Sequence, residues 1–228
     1  MEIINGKDIK RSSQANVIIY SKPGSGKTTV ASLLPGKTLM LSIDGTEQVL
    51  EGSSTVDIAR IDGKDPYKSL MEFYKYAKLK ESEYDNFFID NLTRYQKLWL
   101  NERSTKTKSG LPEMKDYAIL DNHLLDVMEA FNSLKGNTIY TFWEATRQIT
   151  HDDGQQYTQF VPDVRDKIAN HLMGIVHIVA RLYKTNEGKR GFFLEGNESI
   201  FAKNHLDNRK GCLQEELLKI GNKTEEEE

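Results

Sequence analysis

Cysteine occurs once in the 228 residues, at Cys212. No internal disulfide can form, which fits a reducing, cytoplasmic setting. Long apolar runs are missing too. None approaches the roughly 18 residues that a membrane helix needs, and residues 1–10 lack the apolar core of a secretion signal. The histidines, His123, His151, His171, His177 and His205, show no metal-ligand spacing, and one cysteine cannot supply a zinc site. No metal is expected beyond one carried by a nucleotide. Charge of one sign is not in excess either. The formal net charge is −3, and from Gly211 on two lysines face six glutamates. The tail is therefore acidic and the body near neutral, which excludes a strongly basic nucleic-acid footprint; any such surface must be local.

What is present is concentrated in V-I-I-Y-S-K-P-G-S-G-K-T-T-V, residues 17–30. An apolar run reads as a buried strand, then comes a glycine-bearing loop, then a segment of helical character. This is the strand–loop–helix context of a phosphate-binding loop. Gly24 and Gly26 let the backbone turn its N–H groups onto phosphate oxygens. Ser21, Pro23, Gly24, Ser25, Gly26, Lys27, Thr28 and Thr29 are the expected nucleotide-binding residues. Lys27 is assigned to the β- and γ-phosphates and the Thr28 hydroxyl to Mg²⁺. The full pattern opens with glycine, where this chain has Ser21.

The segment F-F-I-D places Asp90 at the end of an apolar strand, expected beside the loop strand and on Mg²⁺ together with Thr28. Taken alone, the same residues read as a strand end closed by an Asx turn. Hydrolysis also needs a group that orients or deprotonates water. Asp44 and Glu47 both follow the second strand, and Glu47 is preferred because its longer arm clears the strand end. Glu144 and Thr141, at the end of a later strand, are candidates to sense the γ-phosphate. Lys27, Glu47, Asp90 and Glu144 make up the expected catalytic set.

Periodicity predicts strands over 15–20, 38–43, 56–61, 86–90 and 137–142, alternating with helices over 27–34, 66–79, 92–103 and 117–134. Pro35-Gly36 should stop the first helix, and 104–112 reads as a basic loop. A hairpin around Asp152-Asp153-Gly154 is expected over 147–160, then a helix over 163–172 and a strand over 174–183. Asn186-Glu187-Gly188 should turn that strand into 190–194. A last short helix, 213–220, precedes the acidic end. The sum is an α/β fold in three layers, with a mainly parallel central sheet and C-terminal antiparallel hairpins. Residues 1–210 form the main domain and 211–228 a short helix and acidic tail. The run 225–228 reads as a solubilising end, or as a docking tag that covers the basic loop.

The segments S-K-P-G-S-G-K-T, L-S-I-D-G-T-E, F-F-I-D-N-L-T and T-F-W-E together resemble phage-encoded RecA-like P-loop ATPases. That group includes the Sak-type single-strand annealing proteins, placed with AAA-family nucleotide-binding proteins. L-P-E-M-K-D-Y-A (111–118) and A-K-N-H (202–205), where relatives tend to have A-K-x-R, are similar as well. The resemblance covers about residues 18–210. It implies a RecA-like P-loop NTPase fold, ATP and Mg²⁺ as cofactors, and an ATP hydrolase that binds single-stranded DNA and assists phage recombination or annealing. It further implies a homo-oligomeric ring or filament in the cytoplasm of a bacterial host, with a single-strand-binding or recombination protein as partner and no membrane. Relatives usually carry an acid two positions after the Asp44 equivalent, where this chain has Thr46. His205 stands where they carry arginine.

In RecA-like proteins loops at the C-terminal sheet edge grip DNA. The matching segments are 101–115, with Arg103, Lys106, Lys108 and Lys115 against Glu102 and Glu113, and 147–166, with Arg147. Tyr157, Phe160 and Trp143 are candidates to stack bases. The plainer readings are solvated lysines and packed aromatics. Arg181 and Lys203, near the hairpin that also carries Lys184, Lys189 and Arg190, are candidates to act on a neighbour's γ-phosphate. Two rivals use the same loop: a nucleotide or small-molecule kinase, and a non-hydrolysing nucleotide-switched protein that binds a partner.

Overall fold

The structure is a computed structural model that describes residues 5, 14–150 and 154–220. Most of the lead-in, Asp152 and Asp153 of the expected turn, and the acidic run 225–228 lie outside the described residues.

Ten strands form one sheet in the order β10-β8-β7-β1-β5-β4-β2-β3, with β6 paired to β5 and β9 to β7. The strands are β1 (Asn16–Ser21), β2 (Thr38–Ser42), β3 (Val56–Arg60), β4 (Asn86–Asp90), β5 (Asn137–Thr150), β6 (Gln156–Pro162), β7 (Ile178–Lys184), β8 (Arg190–Phe193), β9 (Lys203–Asn204) and β10 (Gly211–Leu213). From β3 through β7 the neighbours run parallel; β6, β8, β9 and β10 pair antiparallel. Every residue of β1, β2 and β4 is buried, as expected where both faces of a parallel sheet are covered.

Alternate residues of each strand feed two cores. Ile18, Tyr20, Leu41, Ile89 and Tyr140 face a layer built from α1 (Pro66–Leu79), α2 (Leu92–Ser104), α3 (Met114–Asn132) and α4 (Asp166–Gly174). Val17, Ile19, Met40, Phe88 and Ile139 face a thinner layer with Val30, Ala31, Leu50 and Leu217. Local capping fixes the helix starts. Asp65 accepts from the Lys68 amide ahead of Pro66, and the Asn91 side chain accepts from the Arg94 amide at 2.7 Å.

The architecture agrees with the pattern reading, and α1 and β4 have the expected bounds. Others shift: the helices expected over 117–134 and 163–172 are Met114–Asn132 and Asp166–Gly174, the strand expected over 174–183 is Ile178–Lys184, β9 and β10 were not expected, and three further elements differ in kind or extent. The helix expected over 27–34 is a 3₁₀ segment, Thr28–Ser32. Thr28, Thr29 and Val30 are β-branched, which disfavours an α-helical first turn, and Pro35 bounds what could follow. The helix expected over 213–220 shrinks to a 3₁₀ turn, Gln214–Glu216. The Arg209 guanidinium donates to the Glu216 and Leu217 carbonyls at 2.8 and 3.2 Å, taking acceptors a longer helix would use. β5 runs past residue 142 to Thr150 and pairs with β6, so strand and hairpin arm are one element.

Strand order brings a further correction. β4 does not neighbour β1; β5 lies between them. Among the described residues no helix is long and apolar enough to cross a membrane.

Candidate functional site

The phosphate loop leaves β1 at the C-terminal edge of the parallel strands, where open α/β sheets bind ligands. Gly24 and Gly26 have φ of +76° and +102°, backbone that side chains disfavour. Lys27 is only 7% exposed. Its ammonium donates to the Ser21 and Lys22 carbonyls at 3.0 and 3.1 Å and lies 3.3 Å from the Ser21 hydroxyl. The serine at the motif's opening position therefore lies against the lysine. Burial pushes the ammonium below the ordinary lysine range, opposed by Asp90, Asp44 and Glu144.

Thr28 donates to Asp90 Oδ2 at 2.6 Å, joining the loop to the end of β4 across β5. Thr141, on β5 itself, donates to the other oxygen of Asp90. Asp90 is 1% exposed, and burial followed by the Asp44 charge raises its carboxyl above the usual range. Thr46 donates to Asp44 Oδ1 at 2.8 Å and also lies 2.8 Å from the Thr28 hydroxyl. Asn91 donates to Asp44 Oδ2 at 2.6 Å.

Whether these residues suit a divalent cation can be judged from their oxygens. The Thr28 and Thr46 hydroxyls make three short contacts, with Asp90, with Asp44 and with each other. The oxygen cluster gathers two hydroxyls and two carboxyl groups. Such a set of hard oxygens suits Mg²⁺, which binds through one or two carboxylates plus substrate phosphates. Among the described residues no group of three or more His, Cys, Asp or Glu could hold a metal unaided. The residues fit an ion that would arrive with a nucleotide and that Thr28 and Asp90 would hold.

These groups open on a cavity of about 410 Å³ lined by Pro23, Gly24, Gly26, Lys27, Thr28, Thr29, Asp44, Thr46, Val49, Asp90, Trp143 and Arg190. Of the expected residues, Pro23, Gly24, Gly26, Lys27, Thr28, Thr29 and Asp90 are thus brought together, whereas Ser21 is buried against Lys27 and Ser25 donates to the Lys22 carbonyl, and neither lines the cavity. Others are not. Glu47 is turned away: its carboxylate takes hydrogen bonds from Ser42 at 2.5 Å and Arg60 at 2.6 Å. Glu144 pairs with Arg181 at 2.7 Å with its side chain 5% exposed, and Arg181 covers the Phe160 ring at 4.0 Å. Lys203 donates to the Gly174 carbonyl. Arg181 and Lys203 are therefore engaged within their own chain. Trp143, expected to stack DNA bases, walls the cavity under the Lys97 ammonium, 4.3 Å from its ring.

The expected DNA cations are also mostly paired. Lys106 pairs with Glu102, Lys115 with Glu113 at 2.6 Å, and Arg103 lies over Trp99 at 4.6 Å. Arg147 donates to Gln159 and Asn170. Lys108 is exposed. Tyr157 donates to Gln155, and Phe160 is half-buried beneath Arg181.

Sequence reasoning missed Arg190 in the cavity and underrated Asp44. Nothing local marks Arg190, since its place depends on how the β7–β8 hairpin folds back. Asp44 was visible, but chain position does not show which acid turns inward.

The Glu47 pairing has a measurable consequence. Hydrogen bonds from Ser42 and Arg60 pull its carboxyl from 4.5 down to about 2. A depressed carboxylate contributes its full stabilisation above its unfolded value and loses it as pH falls through the folded one. Glu47→Gln is expected to cost about 1–2 kcal/mol at pH 7, the exposed Arg60 weakening the pair. The cost should shrink as pH drops below about 4 and vanish near 2. Urea unfolding of both proteins at several pH values checks this; a difference constant with pH would contradict the pairing.

With this geometry in place, comparison with known families gives a match to the AAA domain over residues 13–206. The chain belongs to the AAA domain family, a class of P-loop NTPases whose members generally use ATP and Mg²⁺. A search of curated proteins gave no match.

Proposed function

We propose that this chain is a Mg²⁺-dependent, RecA-like ATPase that binds single-stranded DNA and assists phage recombination or annealing in the bacterial cytoplasm, as Sak-type proteins do. The observation that carries the ATPase reading is the 2.6 Å contact of Thr28 with Asp90, beside the buried Lys27 and at a cavity that the loop lines. Lys27 binds the β- and γ-phosphates, and the loop amides hold the rest of the chain. Bound Mg²⁺ supplies charge neutralisation at the transferred phosphoryl group. Asp44, held from two sides by Thr46 and Asn91, orients the attacking water in place of Glu47.

The DNA reading is supported by how the hairpin is rooted. The Tyr20 hydroxyl, at the end of the loop strand, reaches the Phe160 and Phe201 carbonyls at 3.0 and 2.7 Å. Arg165, just past β6, donates to Asp121 at 2.7 Å and covers the Tyr117 ring on the first turns of α3. Segment 147–166 therefore packs on the start of α3, which follows segment 101–115, and its own root touches β1. Nucleotide state biases these segments, and DNA phosphates exchange with the carboxylates that now hold Lys106 and Lys115. Several subunits in a ring or filament multiply the contacts, and a single-strand-binding or recombination protein is the partner expected beside them.

Phosphate release measured without nucleic acid and with single-stranded DNA, double-stranded DNA or RNA tests the proposal. Stimulation by single-stranded DNA is the expected result. DNA affinity should fall with salt: three to four phosphate contacts give roughly a 20- to 50-fold loss between about 50 and 200 mM. An affinity unchanged across that titration would remove the basic-loop account. A second reading, a non-hydrolysing nucleotide switch that binds a partner protein, draws on Thr46 at the usual acidic position and on the pairing of Glu47. ATP binding without turnover under every condition would favour it.

A further inference from the structure

Arg190 opens β8 and reaches back over the phosphate loop. Its Nε is buried and has no hydrogen-bond partner. A Cβ added to Gly26 would lie 2.9 Å from that Nε and 3.1 Å from Cδ, so the side chain rests on the bare face of the glycine. Arg190 also lines the cavity. A buried donor on a permanently charged group is costly without an acceptor. The Arg190 Nε has no such acceptor, and the side chain lines a cavity that the phosphate loop lines too.

Sheet order says which part of a nucleotide it faces. Asp90, Thr141 and Asp44 lie on the β5–β4–β2 side of β1, whereas Arg190 comes from the opposite side, across β7. A nucleotide whose metal-binding end lies against Thr28 and Asp90 turns its α-phosphate end toward Arg190. The C-terminal segment holds the same glycine: Gln214 Nε2 donates to the Gly26 carbonyl at 2.8 Å.

We propose that Arg190 binds the α- and β-phosphate end of the nucleotide lying in its own subunit's cavity. The proposal rests on the nucleotide-site reading and adds a residue to it. The guanidinium offers charge-assisted hydrogen bonds to oxygens that ATP and ADP share. It therefore contributes uniform binding, felt in KM, rather than stabilisation reserved for the transition state. This sets it apart from a finger acting on the γ-phosphate.

Calorimetric titration of ATP and ADP, each with Mg²⁺, into the full chain and into Arg190→Ala, Arg190→Lys and Lys27→Ala tests the idea. Arg190→Ala should weaken ATP and ADP by the same factor, roughly 10- to 100-fold, the scale of one hydrogen bond to a charged group. Arg190→Lys should recover part of the loss, and the fall in kcat/KM should be carried by KM. Adding excess Lys27→Ala protein, which keeps Arg190, should not restore ADP binding to Arg190→Ala. Three results overturn the proposal: unchanged ADP affinity in Arg190→Ala while Lys27→Ala loses ATP, a loss confined to ATP, or restoration on mixing. If Lys27→Ala and Arg190→Ala both bind like the parent, the nucleotide site itself is wrong and the inference falls with it.

Discussion

Lys27→Ala should abolish nucleotide hydrolysis, lowering kcat/KM by about 10³-fold or more, while the protein still folds. The expectation comes from what the ammonium does with and without a ligand. In the structure it donates to the carbonyls of Ser21 and Lys22. Those bonds satisfy it, but burial still pushes its pKa down, so the charge is held at a cost. Truncation removes that cost together with the bonds, so the net change in stability should be small, within about 2 kcal/mol. Phosphates lose much more. Each factor of ten in rate corresponds to about 1.4 kcal/mol, and a cation on the transferred group in a half-enclosed cavity supplies several such steps. Phosphate release by purified protein, with thermal unfolding run alongside, measures both halves. Full activity in the variant would show that the loop does not serve a triphosphate.

The second large effect separates two carboxylates three residues apart. Asp44→Asn should lower kcat by roughly 10²- to 10⁴-fold, the range for a lost general base or water-orienting group. Glu47→Gln should leave turnover within a few-fold and show its effect in stability. Both carboxylates have both oxygens hydrogen-bonded, so the asymmetry follows from where each side chain lies. Both Glu47 oxygens are taken by Ser42 and Arg60, outside the cavity lining. Asp44 lines the cavity, and its partners Thr46 and Asn91 fix its direction. An asparagine at 44 can still accept from Asn91 and donate to the Thr46 hydroxyl, so the shape survives while the charge goes. Single-turnover hydrolysis and ATP affinity, measured on both variants, distinguish lost chemistry from lost binding. Loss of turnover in Glu47→Gln with activity kept in Asp44→Asn would return the role to the glutamate.

The phosphate loop was legible because its chemistry is contiguous. Gly24, Gly26, Lys27 and Thr28 act through backbone turns and side chains only a few residues apart. Strand Asn86–Asp90 and helix Pro66–Leu79 were equally plain, since an apolar run and helical periodicity are local signals. The segment after the loop is 3₁₀ rather than α-helix where three successive β-branched residues, Thr28, Thr29 and Val30, crowd its first turn. Glu144 reads in the sequence as a γ-phosphate sensor and Arg181 as a trans-acting cation, because nothing along the chain links them. In the structure they are one ion pair across 37 residues.

By itself, then, the amino-acid order determined that a buried strand ends in an anion-binding turn, that a second apolar strand ends in an acid, and that helices and parallel strands alternate. These follow from periodicity and short-range sterics, which operate within a few residues. Only the tertiary structure decided that β5 separates those two strands, that Asp44 rather than Glu47 faces the cavity, and that Arg190 rests on Gly26 from 164 positions away. The physical reason is that a charged side chain takes the nearest partner that repays its lost hydration. Which partner is nearest is set by the packing of distant segments, not by the neighbours along the chain.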